Sequence, residues 1–260
     1  MTISENSWVT YIDNLRKVSD EAAHKFEEYY LRVANPFSEM GRKSLTWYAF
    51  VLGRDYGEAA AELACEMYDS MVAAAGLEMG RPAGWIKPAV PAPTATYSEA
   101  AKTVNGVLKV SQNPDEMAGA VSRLVKMAGV DTIMKNALRD GAEWAWIPHG
   151  DTCAFCITLA SQGWQPASKK ALKNGHAEHI HANCDCTYAV RFNSQTEVEG
   201  YDPKKYLKMY NATSGTPEEK INAMRRKFYA ENSEKINEQK RSAYAKRKER
   251  EESSAEELNI

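Results

Sequence analysis

Four of the five cysteines and four of the five histidines in this chain fall between His149 and Cys186, a window that is under one sixth of its 260 residues. The window reads His149-Gly-Asp-Thr-Cys153-Ala-Phe-Cys156, then about twenty residues, then His176-Ala-Glu-His179-Ile-His181-Ala-Asn-Cys184-Asp-Cys186. A Cys-x-x-Cys turn points two sulfurs at one centre, and a second group some 25 to 30 residues later can complete a tetrahedron. Cys153, Cys156, His181, Cys184 and Cys186 are therefore the candidate metal ligands. Five compete for four places, so one of His181, Cys184 and Cys186 is spare. A structural zinc site is the leading expectation.

Other uses of these residue types are weaker fits. A thioredoxin-like redox pair needs its Cys-x-x-Cys at a helix start within a βαβ unit, and that context is missing. A disulfide formed after release from a cell is a further alternative. A zinc deaminase carries His-x-Glu before its cysteine pair, whereas His176-Ala-Glu178 follows it. No Gly-rich phosphate loop and no Gly-x-Ser-x-Gly elbow occur, so hydrolase chemistry of those kinds has no anchor.

Composition sets the frame around the cluster. With 43% hydrophobic and 26% charged residues and a net charge of −2, the chain has the make-up of a globular protein and the length for one large or two modest domains. No apolar run reaches the roughly 18 residues of a membrane span, so no membrane partner is expected. The start MTISENSWVT lacks the basic and apolar regions of a signal peptide. The expected compartment is a reducing cytoplasm, where cysteines are thiols or metal ligands.

Periodicity predicts a mainly α fold. Trp8, Tyr11, Ile12, Leu15, Val18, Ala22, Phe26 and Tyr30 recur at three- and four-residue steps, an amphipathic helix ended by Asn35-Pro36. Helices are expected over Ser38–Leu52 and Tyr56–Ala75, with Gly76 as the C-terminal cap. Cys65 in the second reads as an inert core thiol, and His24 in the first as a surface or boundary residue. These residues make up an N-terminal helical region, 1–79. Residues 80–96, with Pro82, Pro88, Pro91 and Pro93, read as an extended linker. A second helical region, 97–145, resumes at Ser98, starts again at Asn113-Pro114 and is capped once more at Asp131. A Cys/His subdomain is expected over 146–200, with Cys186–Phe192 as a strand and Trp144, Trp146 and Trp164 packing it. His149 and His176 flank the cluster, either as hydrogen-bond partners that orient the metal ligands or as ordinary loop residues.

Residues 201–260 form a charged arm. Residues 201–250 hold 14 basic and 7 acidic side chains, while the last ten hold four glutamates and no base. Thr216-Pro217-Glu218-Glu219 is a capping-box helix start, and the helix is expected to run to about Arg250. Its apolar residues Ile221, Met224, Phe228 and Ile236 are too sparse for a buried stripe, so the helix bridges bodies or awaits a partner. Arg225-Arg226-Lys227 and Lys246-Arg247-Lys248 can neutralise phosphates of double-stranded DNA. Pairing with the interleaved glutamates in a solvated helix is the competing use.

Two family resemblances follow from these motifs. Glu178-His179-Ile180-His181 downstream of Cys-x-x-Cys resembles the core of zinc-stabilised HNH endonucleases, which implies His179 as general base and Glu178 as a metal-holding group. Only four residues separate His179 from Cys184, too few for the loop, Asn and helix of that unit. The fuller resemblance covers about residues 140–192. Ile147-Pro148-His149-Gly150-Asp151-Thr152-Cys153-Ala-Phe-Cys156, then Leu159-Ala160-Ser161-Gln-Gly-Trp164, then His181-Ala-Asn-Cys184-Asp-Cys186 is similar to the tailed-phage minor head proteins of the Mu F-like head-morphogenesis group, including prophage forms. That resemblance implies a metal-stabilised core built on Cys153, Cys156, His181, Cys184 and Cys186. It implies a non-enzymatic, low-copy protein of the virion head, present in the host cytoplasm during assembly. Portal and capsid proteins are its implied partners, and it accompanies or contacts packaged DNA. The expected fold is mainly α, with a small α+β zinc-stabilised subdomain and a long charged C-terminal helix.

Overall fold

The first long helix, α1 (Glu5–Arg32), buries Trp8, Tyr11, Ile12, Leu15, Ala22, Phe26 and Tyr30, the stripe that its periodicity predicts. The computed structural model describes residues 2–3, 5–149, 153–169, 172–173, 176–177 and 186–258. After Asn35, which accepts the backbone N–H groups of Phe37 and Ser38, the N-cap Ser38 starts α2 (Glu39–Glu78). This is one helix of 40 residues, where two were expected. Gly53 and Gly57 do not break it. A Cβ at either would come within 3.2 Å of Ala95 or Thr94, so both serve close packing. Gly76 is likewise no cap. It lies inside the helix under the indole of Trp85, where a Cβ would meet Nε1 at 2.5 Å.

The proline-rich segment after α2 turns at Pro82–Trp85, where the Trp85 backbone N–H donates to Pro82 O at 3.2 Å, and beyond that turn it is docked along much of its length. Ala89 donates to Asp69 at 2.8 Å, Ala92 donates to Thr132 at 2.9 Å, and Asn136 both accepts from and donates to the backbone of Val90. Arg139 closes the strap on the carbonyls of Lys87 and Pro88. Next come α3 (Tyr97–Leu108), with Thr96 and Glu99 in a reciprocal capping box, and α4 (Pro114–Asp140), capped by Asn113. Asp131 does not start a new helix. It is buried in the interior of α4, next to Thr132, which accepts from the strap. Gly141, at φ 65°, ends α4 in the left-handed conformation that favours glycine.

A small sheet follows. The strand β2 (Glu143–Ile147) lies between β3 (Gln165–Pro166) and β6 (Thr187–Arg191), with both pairings antiparallel. The register Ile147↔Thr187 to Glu143↔Arg191 is reinforced by an Arg191–Glu143 ion pair at 2.6 Å. Leu172–Lys173 (β4) and His176–Ala177 (β5) form a separate two-stranded ladder. At the start of the chain, β1 (Thr2–Ile3) pairs in parallel with β7 (Glu197–Val198). Trp8 secures that closure by donating its indole N–H to Glu199 O at 3.2 Å.

A buried cluster runs from Trp8 to Val198 and takes in α1 to α4, β2, β6 and the helix α5 (Ala154–Ala160). The sheet is thus packed into the helical body. Beyond it lie α6 (Pro203–Asn211), α7 (Pro217–Glu231) and α8 (Ser233–Leu258). The charged arm was expected to hold one helix after Thr216. It holds two, parted at Asn232, whose side chain turns back onto Phe228 O. Among the described residues the protein has eight helices and is 68% helical, with little strand.

Candidate metal centre

The short helix α5 carries the Cys-x-x-Cys pair, and its sequence dictates its two faces. Cys153 is the N-cap, in extended conformation, and its Sγ accepts the backbone N–H of Cys156 at 3.4 Å. The N-cap and N3 positions point back over the same first turn, so both sulfurs meet there. They are 3.4 Å apart. A disulfide needs about 2.05 Å. Two sulfurs bound about 2.3 Å from one tetrahedral ion sit about 3.8 Å apart. The pair is therefore no disulfide: the Cys153 thiol donates to Cys156 Sγ, at a separation close to that of two ligands on one centre.

Cys156 and Ala160 are fully buried in the main core, and Cys153 is half-buried against it. Ala154 and Ile157 are also buried, on a different surface. They join Met224 of α7 in a second, smaller cluster with Tyr206, Tyr210 and Ile221 around it. Tyr201 pins the far end of α5, its hydroxyl donating to Ala160 O at 2.9 Å.

The sheet register places the third cysteine. Ile147 pairs with Thr187, so Cys186 enters β6 beside the end of β2, from which Pro148 leads on toward Cys153. Cys186 is buried in the same core cluster as Cys156. Tyr206 lies near it. Burial, then the Cys186 thiol, then Asp202 push its phenol above the usual tyrosine range. His149 packs edge-on against Trp8 with ring centres 5.6 Å apart.

Aromatic rings wall the sheet behind the cysteines. Trp144 and Trp146 stand on one face of β2 and meet Tyr188 edge-on, each at 4.8 Å. Trp164 stacks under the Arg191 guanidinium at 4.5 Å and meets Tyr201 edge-on. These rings pack the sheet. Sequence reasoning missed Tyr201 and Tyr206. Their signal was Asp202-Pro203, an N-cap followed by proline, with Tyr201, Tyr206 and Tyr210 spaced for a helix edge.

Of the five candidate ligands, the structure thus brings Cys153 and Cys156 together and buries Cys186 at the adjacent strand. His181 and Cys184 lie outside the described residues, as do Glu178 and His179, on which the nuclease alternative turns. Among the described residues, no group of three or more His, Cys, Asp or Glu side chains is placed to hold a metal ion. The donor chemistry fits zinc where it is described: two sulfurs converge, and none of the four described cysteines is in a disulfide. Cys65 stands apart on α2. It is half-buried, and burial and then nearby Asp69 push its thiol upward, which keeps it protonated and unreactive. His24 is at the surface beside Glu28.

No helix of the described residues is long and apolar enough to cross a membrane. No curated protein and no solved structure matches the chain. A sequence model of the VG15 protein family does match, over residues 2–213, from the first strand through the whole of α6. The chain belongs to the VG15 protein family, a family of phage proteins.

Proposed function

We propose that this protein is a minor head protein of a tailed phage, acting in head morphogenesis next to the portal. The observation that carries the reading is membership of a phage protein family over 2–213, in a chain whose remaining residues form a charged helical arm. The body supplies a rigid helical block. The described side chains of α8 are exposed except for half-buried Ile236. Portal and capsid subunits are the proposed partners of the assembly, and packaged double-stranded DNA is the proposed partner of the basic stretch 201–250. Zinc, held by four of Cys153, Cys156, His181, Cys184 and Cys186, would tie the start of α5 to the entry of β6. Its role is structural, with no catalytic step.

The decisive experiment is quantitative mass spectrometry of purified particles, with portal and major capsid protein as internal standards. A few copies per particle are expected. Absence from particles, with abundance in the lysate, would overturn the reading. Contact with DNA is checked by titrating salt, since phosphate contacts make affinity fall steeply as salt rises. Affinity independent of salt would remove DNA from the partners. A divalent-metal-dependent cutting assay tests the nuclease alternative, and no cutting by the intact protein ends it.

A further inference from the structure

We infer that α5 seats the C-terminal arm on the body, so that metal held by Cys153 and Cys156 controls whether α6 and α7 are docked. The inference rests on the metal reading given above. It starts from the two surfaces of one seven-residue helix. Cys156 and Ala160 belong to the main core, whereas Ala154 and Ile157 belong to the small cluster with Met224, Tyr206, Tyr210 and Ile221. That cluster is an apolar seat for α6 and α7, and Tyr206 packs against the main core as well. α6 has no fully buried residue and α7 has only Met224, so neither helix has a core of its own to fall back on. The polar support converges on the same place. Tyr201 donates to Ala160 O at the end of α5, and Lys220 covers the ring of Tyr210 at 4.3 Å.

A helix of seven residues is too short to be stable alone. α5 is held by the burial of Cys156 and Ala160 in the main core, by the cysteine turn at its start and by the Tyr201 bond at its finish. Removing a metal crosslink from the first turn frees the start of α5, and the seat of the arm loosens with it. The thiolate centre and the arm then share one two-state element, which is the physical requirement for coupling between them. The direction is fixed: metal bound keeps the arm docked, and metal lost releases it.

The test is hydrogen exchange by mass spectrometry on the full-length protein, with zinc content measured on the same samples. Chelation of zinc should speed exchange in peptides from 203–231 by at least about tenfold, while α2 and α4 peptides change by less than about twofold. A second variant works from the arm side. Met224→Asp should release the same peptides and leave zinc stoichiometry unchanged. Zinc that is bound and removed without faster exchange in 203–231 overturns the coupling and leaves the metal reading standing. A protein that never binds zinc overturns the metal reading and the coupling together. Release by chelation that also melts α2 and α4 overturns the coupling, because the metal would then support the whole body.

Discussion

The body and the arm are both helical, and they are held in place by opposite means. In α4, residues from Val121 to Ala137 are buried almost without interruption, and α2 and α1 close over them. In α7 a single methionine is buried, and the described surface of α8 is charged and exposed. The body is stabilised by burial, at roughly 25 cal/mol for each Å² of apolar surface removed from water. The arm is stabilised by local devices: caps, exposed ion pairs and one small apolar seat. A helix of the first kind is expected to tolerate surface changes and fail at core positions. A helix of the second kind should respond to its caps and its seat.

The sharpest way to break this contrast is to empty a buried position. Ile133→Ala, at a fully buried site on α4, should cost about 2–5 kcal/mol and lower the Tm of the whole protein. A loss below 1 kcal/mol would mean that the body is loosely packed and resembles the arm after all. Next in size is the strap. Asn136→Ala removes both hydrogen bonds to Val90 and should cost about 1–3 kcal/mol, with exchange at Val90 and Ala92 rising before that of α4 itself.

Alkaline pH separates the two regions without mutation. Burial raises the phenols of Tyr11 and Tyr68 in the body and Tyr201 beside α5, and Tyr68 is held further by its bond to Asp140. Below pH 10 folded and unfolded chains keep these protons equally, so stability is flat. Above pH 10 the unfolded chain releases them while the folded chain retains them, and stability falls by up to about 1.4 kcal/mol per pH unit for each tyrosine. Tyrosinate absorbance should therefore appear together with unfolding of the body. Titration of these tyrosines in a still-folded protein would show that burial is not what raises them. The smallest effect belongs to the arm. Thr216→Ala opens the capping box at the start of α7 and should cost about 1 kcal/mol of local helix stability, with no shift in the Tm of the body.

The same contrast explains what was legible in the sequence. The stripe of α1 and the start signals at Asn113 and Thr216 are local features, and the structure has them where the residue pattern puts them. The merging of two helices into α2 was hidden because Gly53, Gly57 and Gly76 read as breakers. Their real service is to let Thr94, Ala95 and Trp85 approach closely, a tertiary reason that no local rule contains. Thr132 and Asn136, one turn apart in an apolar helix, were a visible sign of a docked strap, and the proline content of 80–96 masked it. The strand β2 was overlooked because Trp144-Ala-Trp146 is too short to show alternation. Only its pairing with Tyr188 and Val190 makes it a strand. At the candidate metal centre the Cys-x-x-Cys turn could be read directly, since it needs only the start of one helix. The seat of α6 and α7 on that helix depends on residues more than forty positions away.

The closure between the two ends of the body bears on how the protein is made. Thr2–Ile3 pairs with Glu197–Val198, and Trp8 bonds to Glu199. During synthesis the first helix therefore leaves the ribosome long before its last partners exist. The helices can collapse early, yet the seam that locks Trp8 forms only after residue 199 has emerged. Chains that stall before that point would carry an open edge strand and an unlatched tryptophan, the features by which proteases and chaperones recognise unfinished proteins. Completion of the body is thus tied to the arrival of the segment that immediately precedes the arm.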